Sequence, residues 1–243
     1  MTTMLGQTVV VLGGSAGIGF ETARRARAEG AEVIITGRDP GRLEQAAREL
    51  GARSTAAFDA HDPEPLARFF DDLPGPIDHV LVTAGGPYYA PLAELDFDRA
   101  LRSLDDGLLG KLRVARLAAG RMRPGGTLLF VGGTGARHPS AGLALAAAVT
   151  AATPALVANL ALELAPVRVN LVAAGFVDTG LSASILGDGL EARREQLRST
   201  LPIRRVVGPD DVAALAVHLM TNTALTGATY DVDGGEQVAV AAW

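Results

Sequence analysis

The first residues able to do chemistry together form one run, Gly13-Gly14-Ser15-Ala16-Gly17-Ile18-Gly19, placed after a β-branched apolar stretch and at the start of a segment with helical period. Glycines at this spacing let the backbone pass close to a pyrophosphate, and the free N–H groups of a helix start supply donors and a favourable dipole. A tight turn also needs glycine. The position between a strand and a helix in a first βαβ unit is what points to a nucleotide. A second chemical group lies just past the next strand: Thr36-Gly37-Arg38-Asp39. An acidic residue there would accept a bond from a free ribose hydroxyl, whereas arginine clamps a 2′-phosphate, so Arg38 favours NADP(H) over NAD(H). The alternative is that Arg38 pairs with Asp39 or faces water. Phe58-Asp59-Ala60 closes the third strand, where Asp59 either accepts from an adenine amino group or caps the helix starting near Pro63.

Other chemistries are excluded by composition. The 243 residues include no cysteine, a single lysine (Lys111) and only three tyrosines, Tyr88, Tyr89 and Tyr230. Disulfides, thiolate catalysis and cysteine-ligated zinc are therefore out. His61, His79 and His218 fall in different elements without metal-ligand spacing, so no metal site is expected. The net charge of −5, with no basic run, argues against nucleic acid as a partner. The stretch from Ala141 to Ala165 is apolar but interrupted by Thr150, Thr153, Pro154, Asn159 and Glu163, and is read as a buried helix, not a membrane span. The first residues carry no basic region leading into an apolar segment, so a cytoplasmic protein is expected.

The elements that must position these residues alternate regularly. Strands are predicted at Thr8–Leu12, Glu32–Thr36, Ser54–Phe58, His79–Thr83, Gly126–Val131, Arg168–Ala173 and Thr229–Val232. Helices are predicted at Gly17–Glu29, Arg42–Leu50, Pro63–Phe70, Asp96–Met122, Ala141–Leu164, Leu181–Ser199 and Pro209–Met220. Such alternation implies one α/β domain over residues 1–243, a doubly wound Rossmann-type parallel sheet of about seven strands with helices on both faces. Pro154 inside a long helix should bend it.

With these residues in place, the chain resembles the short-chain dehydrogenase/reductase family nearly end to end. Gly13, Gly17 and Gly19 match its phosphate loop. Val82-Thr83-Ala84-Gly85 keeps the second half of a motif usually written Asn-Asn-Ala-Gly. Ala174-Gly175-Phe176-Val177-Asp178-Thr179 resembles the Pro-Gly motif with its cofactor-binding threonine, and Asp231-Val232-Asp233-Gly234-Gly235 the closing strand and turn. The resemblance implies that a nicotinamide cofactor is held by Gly13, Ser15, Ala16, Gly17, Ile18, Gly19, Arg38, Asp59, Ala60, Ala84, Gly85, Thr150, Gly175, Val177 and Thr179. It also implies a dimer or tetramer built on the long helices, and a substrate lid over Leu181–Ser199.

At the family's catalytic positions the residues differ. Its serine, tyrosine, lysine and asparagine fall on Gly133, Ala146, Thr150 and Gly107, and no Tyr-xxx-Lys motif exists anywhere in the sequence. Ala146 has no proton to give, and Thr150 can bond a ribose hydroxyl but carries no charge. Hydride chemistry belongs to the cofactor, so a slower reductase survives if another group or a water supplies the proton. The loop after the fourth strand brings Thr83, Tyr88 and Tyr89 towards the reacting centre, and the loop after the fifth brings His138. His138, as a side chain able to give and take a proton, is the surrogate candidate; a solvated histidine is the alternative. Tyr88 and Tyr89 are expected to line a substrate or subunit surface. The expectation is an NADP(H)-dependent oxidoreductase on a carbonyl or related unsaturated small molecule, with a catalytically inactive NADP(H)-binding sensor or hetero-oligomer partner, or a non-redox enzyme on the same scaffold, as the alternatives.

Overall fold

Seven parallel strands are laid down in the order β3-β2-β1-β4-β5-β6-β7 in a computed structural model that describes residues 3–239. They are β1 Thr8–Leu12, β2 Glu32–Gly37, β3 Ser54–Ala57, β4 Ile77–Val82, β5 Met122–Gly133, β6 Arg168–Ala174 and β7 Thr229–Val232. The helices are α1 Gly17–Ala28, α2 Pro40–Leu50, α3 Pro63–Asp71, α4 Phe97–Leu104, α5 Gly110–Ala119, α6 Ala144–Glu163, α7 Gly180–Leu186, α8 Leu190–Thr200, α9 Pro209–Thr221 and α10 Glu236–Ala239. This is the doubly wound α/β domain expected from the pattern.

Two cores arise from strand alternation. Val9 and Val11 of β1 face one way with Val33, Ile35 and Leu81, under α1, α2 and α9. Val10 and Leu12 face the other way with Ile34, Val80 and Phe130, under α3, α5 and α6. Central strands buried on both sides need such continuous apolar runs. At roughly 25 cal/mol per Å² of apolar surface, each fully buried valine or leucine contributes roughly 1.5–3 kcal/mol. Strand order reverses between β1 and β4, which opens a crevice at their C-terminal ends, the usual ligand position in such sheets. The glycine run comes directly after β1 and Ala84-Gly85 after β4, so both stand at that crevice.

Three expected elements differ in the structure. The single helix expected over Asp96–Met122 is interrupted by a π turn at Asp105–Leu109, ends at Ala119, and yields Met122 to β5, which pairs with Ile77. The expected helix Leu181–Ser199 is two, α7 and α8, separated by a 3₁₀ turn at Gly187–Gly189. Gly187 has φ of +49° there, a conformation that breaks a helix.

The expected buried helix is also different. It runs through Pro154 without interruption and is buried along one edge only, through Thr153, Val157 and Leu160. Long and apolar enough by composition to cross a membrane, at mean hydropathy 1.8, it has only 17% of that window inside the protein. Leu162 on its outer side is 80% exposed.

Candidate cofactor and active site

The turn after β1 is shaped by close approaches that leave no room for side chains. A Cβ at Gly13 would come within 2.6 Å of Thr83 Oγ1, and one at Gly14 within 2.7 Å of Ile35. Gly13 also has φ of +96°. Thr83 Oγ1 donates to the carbonyls of Leu12 and Gly13 at 3.1 and 3.0 Å, which ties the end of β4 to the loop. Thr83 therefore braces the phosphate loop and does not face the reacting centre. The signal that could have found this is its place at the switch point, one residue after β4.

At the start of α1, Ala16 offers no side-chain cap and the first turn holds no acidic residue. The contrast with its neighbours is informative. Asp39 caps α2 by accepting from Arg42 N, Asp62 caps α3 from Glu64 N, and Asp96 caps α4 from Asp98 N and Arg99 N. Only α1 among these leaves its N-terminal N–H groups pointing from a glycine cradle into a crevice, an arrangement that fits an anionic pyrophosphate. Thr179, the N-cap of α7, stands across this crevice: a Cβ at Gly17 would lie 3.5 Å from Thr179 Cγ2. Ser15 lies beside the end of β2, its Oγ 3.0 Å from where a Cβ of Gly37 would be. Gly13, Ser15, Ala16, Gly17, Ile18, Gly19 and Thr179 are thus brought together.

Arg38 is exposed just beyond β2. Asp39 is engaged as the α2 cap at 2.9 Å, and among the described residues Arg38 has no ion pair. Asp59, exposed after β3, accepts from His61 N at 3.0 Å; the α3 cap is Asp62, not Asp59. Ala60 is half-buried beside it. Gly85, with φ of +110°, faces the ring of His61. Gly175 packs against Asp233, and Val177 bridges to Val207, while Glu236 accepts from Phe176 N and pairs with Arg193 at 2.6 Å. Arg194 of α8 holds Asp178 through two bonds of 2.9 and 2.7 Å, so the second half of the lid segment is fastened to the loop after β6.

Gly133 ends β5, and Ala146 and Thr150 stand one helical turn apart on α6, both half-buried. Gly107 sits in the π turn with its Cα against Val149, one residue before Thr150. Gly107 is therefore brought against the Ala146–Thr150 turn of α6, while the nearest neighbour of a Cβ at Gly133 would be the Ala174 carbonyl, 3.9 Å away. Pro154 has no N–H to give to the carbonyl of Thr150, which leaves that residue with an acceptor as well as its hydroxyl. His138 is half-buried after the 3₁₀ turn Gly135–Arg137, in a loop held to β7 by a two-bond pair of Arg137 with Asp231 at 2.6 and 2.8 Å. Its Nε2 is buried and finds no partner among the described residues. Tyr88 is occupied, accepting from Asp96 N at 3.1 Å under the stacked Arg99, and Tyr89 is exposed.

A cleft of about 1070 Å³ runs along α6, between its N-terminal half and the loops after β4 and β5. Its walls include Ala147, Ala151 and Pro154 together with Thr229 and Asp231 of β7, and it touches Thr150 but neither Gly133 nor Ala146.

A family model described as enoyl-(acyl carrier protein) reductase matches residues 13–237. The cyclic-di-GMP-binding biofilm dispersal mediator protein of Escherichia coli K12 is 31% identical over 96% of this chain and 98% of its own. The MalC reductase/Diels-Alderase of Malbranchea aurantiaca superposes with a TM-score of 0.90 at 25% identity, covering 98% of each chain. A structure of BdcA in complex with NADPH superposes with a TM-score of 0.85 at 30% identity, covering 96% of this chain and 95% of that one.

Proposed function

Because this chain belongs to the short-chain dehydrogenase/reductase family of oxidoreductases, we propose that it is an NADP(H)-dependent reductase of a carbonyl or related unsaturated small molecule, working with a proton donor outside α6. The observation that carries the cofactor half of this reading is the uncapped start of α1 inside its glycine cradle, with Thr179 opposite. Arg38, exposed and without an ion pair among the described residues, supports NADP(H) over NAD(H). When bound, the cofactor supplies the hydride. The chain's own residues orient it: the α1 N–H groups and Ser15 hold phosphate, Asp59 and Ala60 flank the adenine, Ala84 and Gly85 form the floor, and Thr150, Gly175, Val177 and Thr179 hold the nicotinamide half.

Calorimetric titration with NADPH and NADH in parallel tests the first half, and a screen of carbonyl compounds for NADPH consumption tests the second. NADPH binding that exceeds NADH binding, together with turnover, is the expected outcome. His138→Ala tests the surrogate read from the sequence: turnover lost with cofactor affinity intact would assign the proton to His138.

A second reading is favoured by Ala146 and Thr150, which offer neither acid nor charge: the protein binds NADP(H) without turning it over. The Escherichia coli relative is named for binding cyclic-di-GMP and not for a reaction, which is in keeping with a protein that binds without turning over. Tight NADPH binding with no consumption across the screen would select it. A non-redox enzyme on this scaffold is the third, in keeping with the double name of MalC.

The outer side of α6 and the cleft beside it support assembly as a homodimer or homotetramer, because apolar surface of this extent is costly to leave in water. Leu101, Leu109 and Leu112 are exposed on the neighbouring α4–α5 segment. Sedimentation at micromolar concentration tests this, and particles of 25.0 kDa alone would refute it. A cytoplasmic location, with neither nucleic acid nor membrane as partner, completes the proposal; fractionation of cells expressing the tagged protein tests it.

A further inference from the structure

Three polar side chains with no place in the cofactor frame gather beneath the C-terminal ends of β4 and β5. Asp106 comes from the π turn, Lys111 from the first turn of α5, and His61 from the loop between β3 and α3. His61 Nδ1 lies 3.2 Å from Asp106 Oδ1. Lys111 Nζ donates to the carbonyl of Gly107, in the turn that packs on Val149 of α6. A cavity of about 30 Å³ joins the three and is walled on its other sides by Ala84 and Val131, among others. A water needs roughly 10–15 Å³ and two to four polar partners, and this cavity provides both. His61 Nε2 is buried, finds no partner among the described residues, and faces Gly85, where a Cβ would stand 3.2 Å away.

We propose that Lys111, His61 and Asp106 form the proton store of this site, supplying through the small cavity the proton that α6 has no group to give. The proposal rests on the reductase reading above. Reduction of a carbonyl by NADPH adds a hydride to carbon and one proton to oxygen as the C=O π bond breaks. The Lys111 ammonium loses that proton by way of water, and the amine left behind is reprotonated from solvent through Asp106 and His61, whose side chains are 38% and 23% exposed. Burial pulls Lys111 down to about 8, against the attraction of Asp106. Burial likewise raises Asp106, with His61 and Arg113 opposing and Asp105 and Asp59 adding to the rise. Asp105 is itself held ionised by its two bonds to Arg113, which offset that guanidinium's charge. A donor that titrates near the working pH is the efficient one.

Lys111 is the only lysine in the chain, so protein labelled with ¹³C at lysine Cε gives a single ε-carbon resonance. In the native protein that resonance is expected to titrate near 8, to move on saturation with NADPH, and to shift its midpoint in Asp106→Asn. Lys111→Met should lower kcat by about 10²–10⁴-fold and abolish its decline above pH 8, with NADPH affinity retained. Lys111→Arg keeps the charge but cannot release the proton, so it should not rescue. Titration near the ordinary lysine value of about 10.4 with no response to NADPH would overturn the proposal. Rescue by Lys111→Arg, or an unchanged pH profile in Lys111→Met with binding intact, would overturn it too while leaving the cofactor reading in place. Failure of NADPH to bind in calorimetry would remove the cofactor reading first and the proton store with it.

Discussion

Replacing Arg38 with alanine isolates the 2′-phosphate from everything else that holds the cofactor. The guanidinium is exposed beyond β2, and the carboxylate next to it is already committed to the start of α2, where Asp39 accepts from Arg42 N at 2.9 Å. Removing Arg38 therefore breaks no ion pair among the described residues and leaves no buried charge behind, so folding should be nearly unaffected. Hydrogen bonds to charged groups contribute roughly 1.5–3 kcal/mol, and exposure at physiological salt, with a Debye length of about 8 Å, puts this one at the low end. A loss near the lower figure corresponds to about tenfold in Kd. Calorimetry of the variant should show NADPH bound about tenfold more weakly and NADH unchanged, because NADH has no phosphate for Arg38 to meet. The native preference should also shrink in high salt. Equal weakening of both cofactors would mean that Arg38 shapes the site and does not read the phosphate; no weakening of either would mean that it faces water.

Other consequences of the geometry are open to simpler assays. Gly107→Ala drives a Cβ to 2.7 Å from Val149 Cγ1, whereas Gly133→Ala meets nothing nearer than the Ala174 carbonyl at 3.9 Å. The first should cost about 1–3 kcal/mol and lower Tm by several degrees, and the second should leave thermal unfolding almost unchanged. Asp96→Ala removes an acceptor for two N–H groups at the start of α4 and should cost about 1 kcal/mol in denaturant unfolding. His79 is buried beside Gln7, its Nε2 2.9 Å from Gln7 Oε1, and desolvation, aided by the Arg168 charge, pushes it down to about 3. Unfolded, it would take a proton near its ordinary value of about 6.5, so the unfolded state binds more protons between those limits. Stability from His79 should be complete above pH 6.5 and lost progressively as pH falls towards 3; His79→Gln should flatten that part of the pH–stability curve.

The strands were legible because a parallel sheet covered on both faces demands apolar β-branched runs, and six of the seven sit between glycine or proline punctuation. The exception shows what pattern cannot carry. Arg123-Pro124-Gly125-Gly126 reads as a loop, yet Met122 pairs with Ile77 and the ladder shifts register before Thr127 resumes beside His79. A bulge of this kind lives in the pairing of two strands and not in the sequence of either. The π turn at Asp105–Leu109 was invisible for a related reason. Apolar periodicity continues across it, and the extra residue it accommodates rotates the facing of α5 without changing any residue type.

That displacement of facing links the fold to the chemistry. The count of one lysine was available from the sequence, but its direction was not, because a helix expected to run unbroken from Asp96 would have given α5 a different facing. With the turn in place, Gly107 has no side chain to occupy the space against Val149, its carbonyl accepts from Lys111, and Asp106 meets His61. Charge absent from α6 is thereby present on Lys111, whose carbonyl partner Gly107 packs on Val149 of α6, in a chain whose other basic side chains apart from histidine are arginines, which cannot give up a proton near neutral pH. Gly107, most easily read as a loss, and Gly85, kept from the family motif, are what let these groups approach: a side chain at Gly85 would crowd His61, and one at Gly107 would push α6 away.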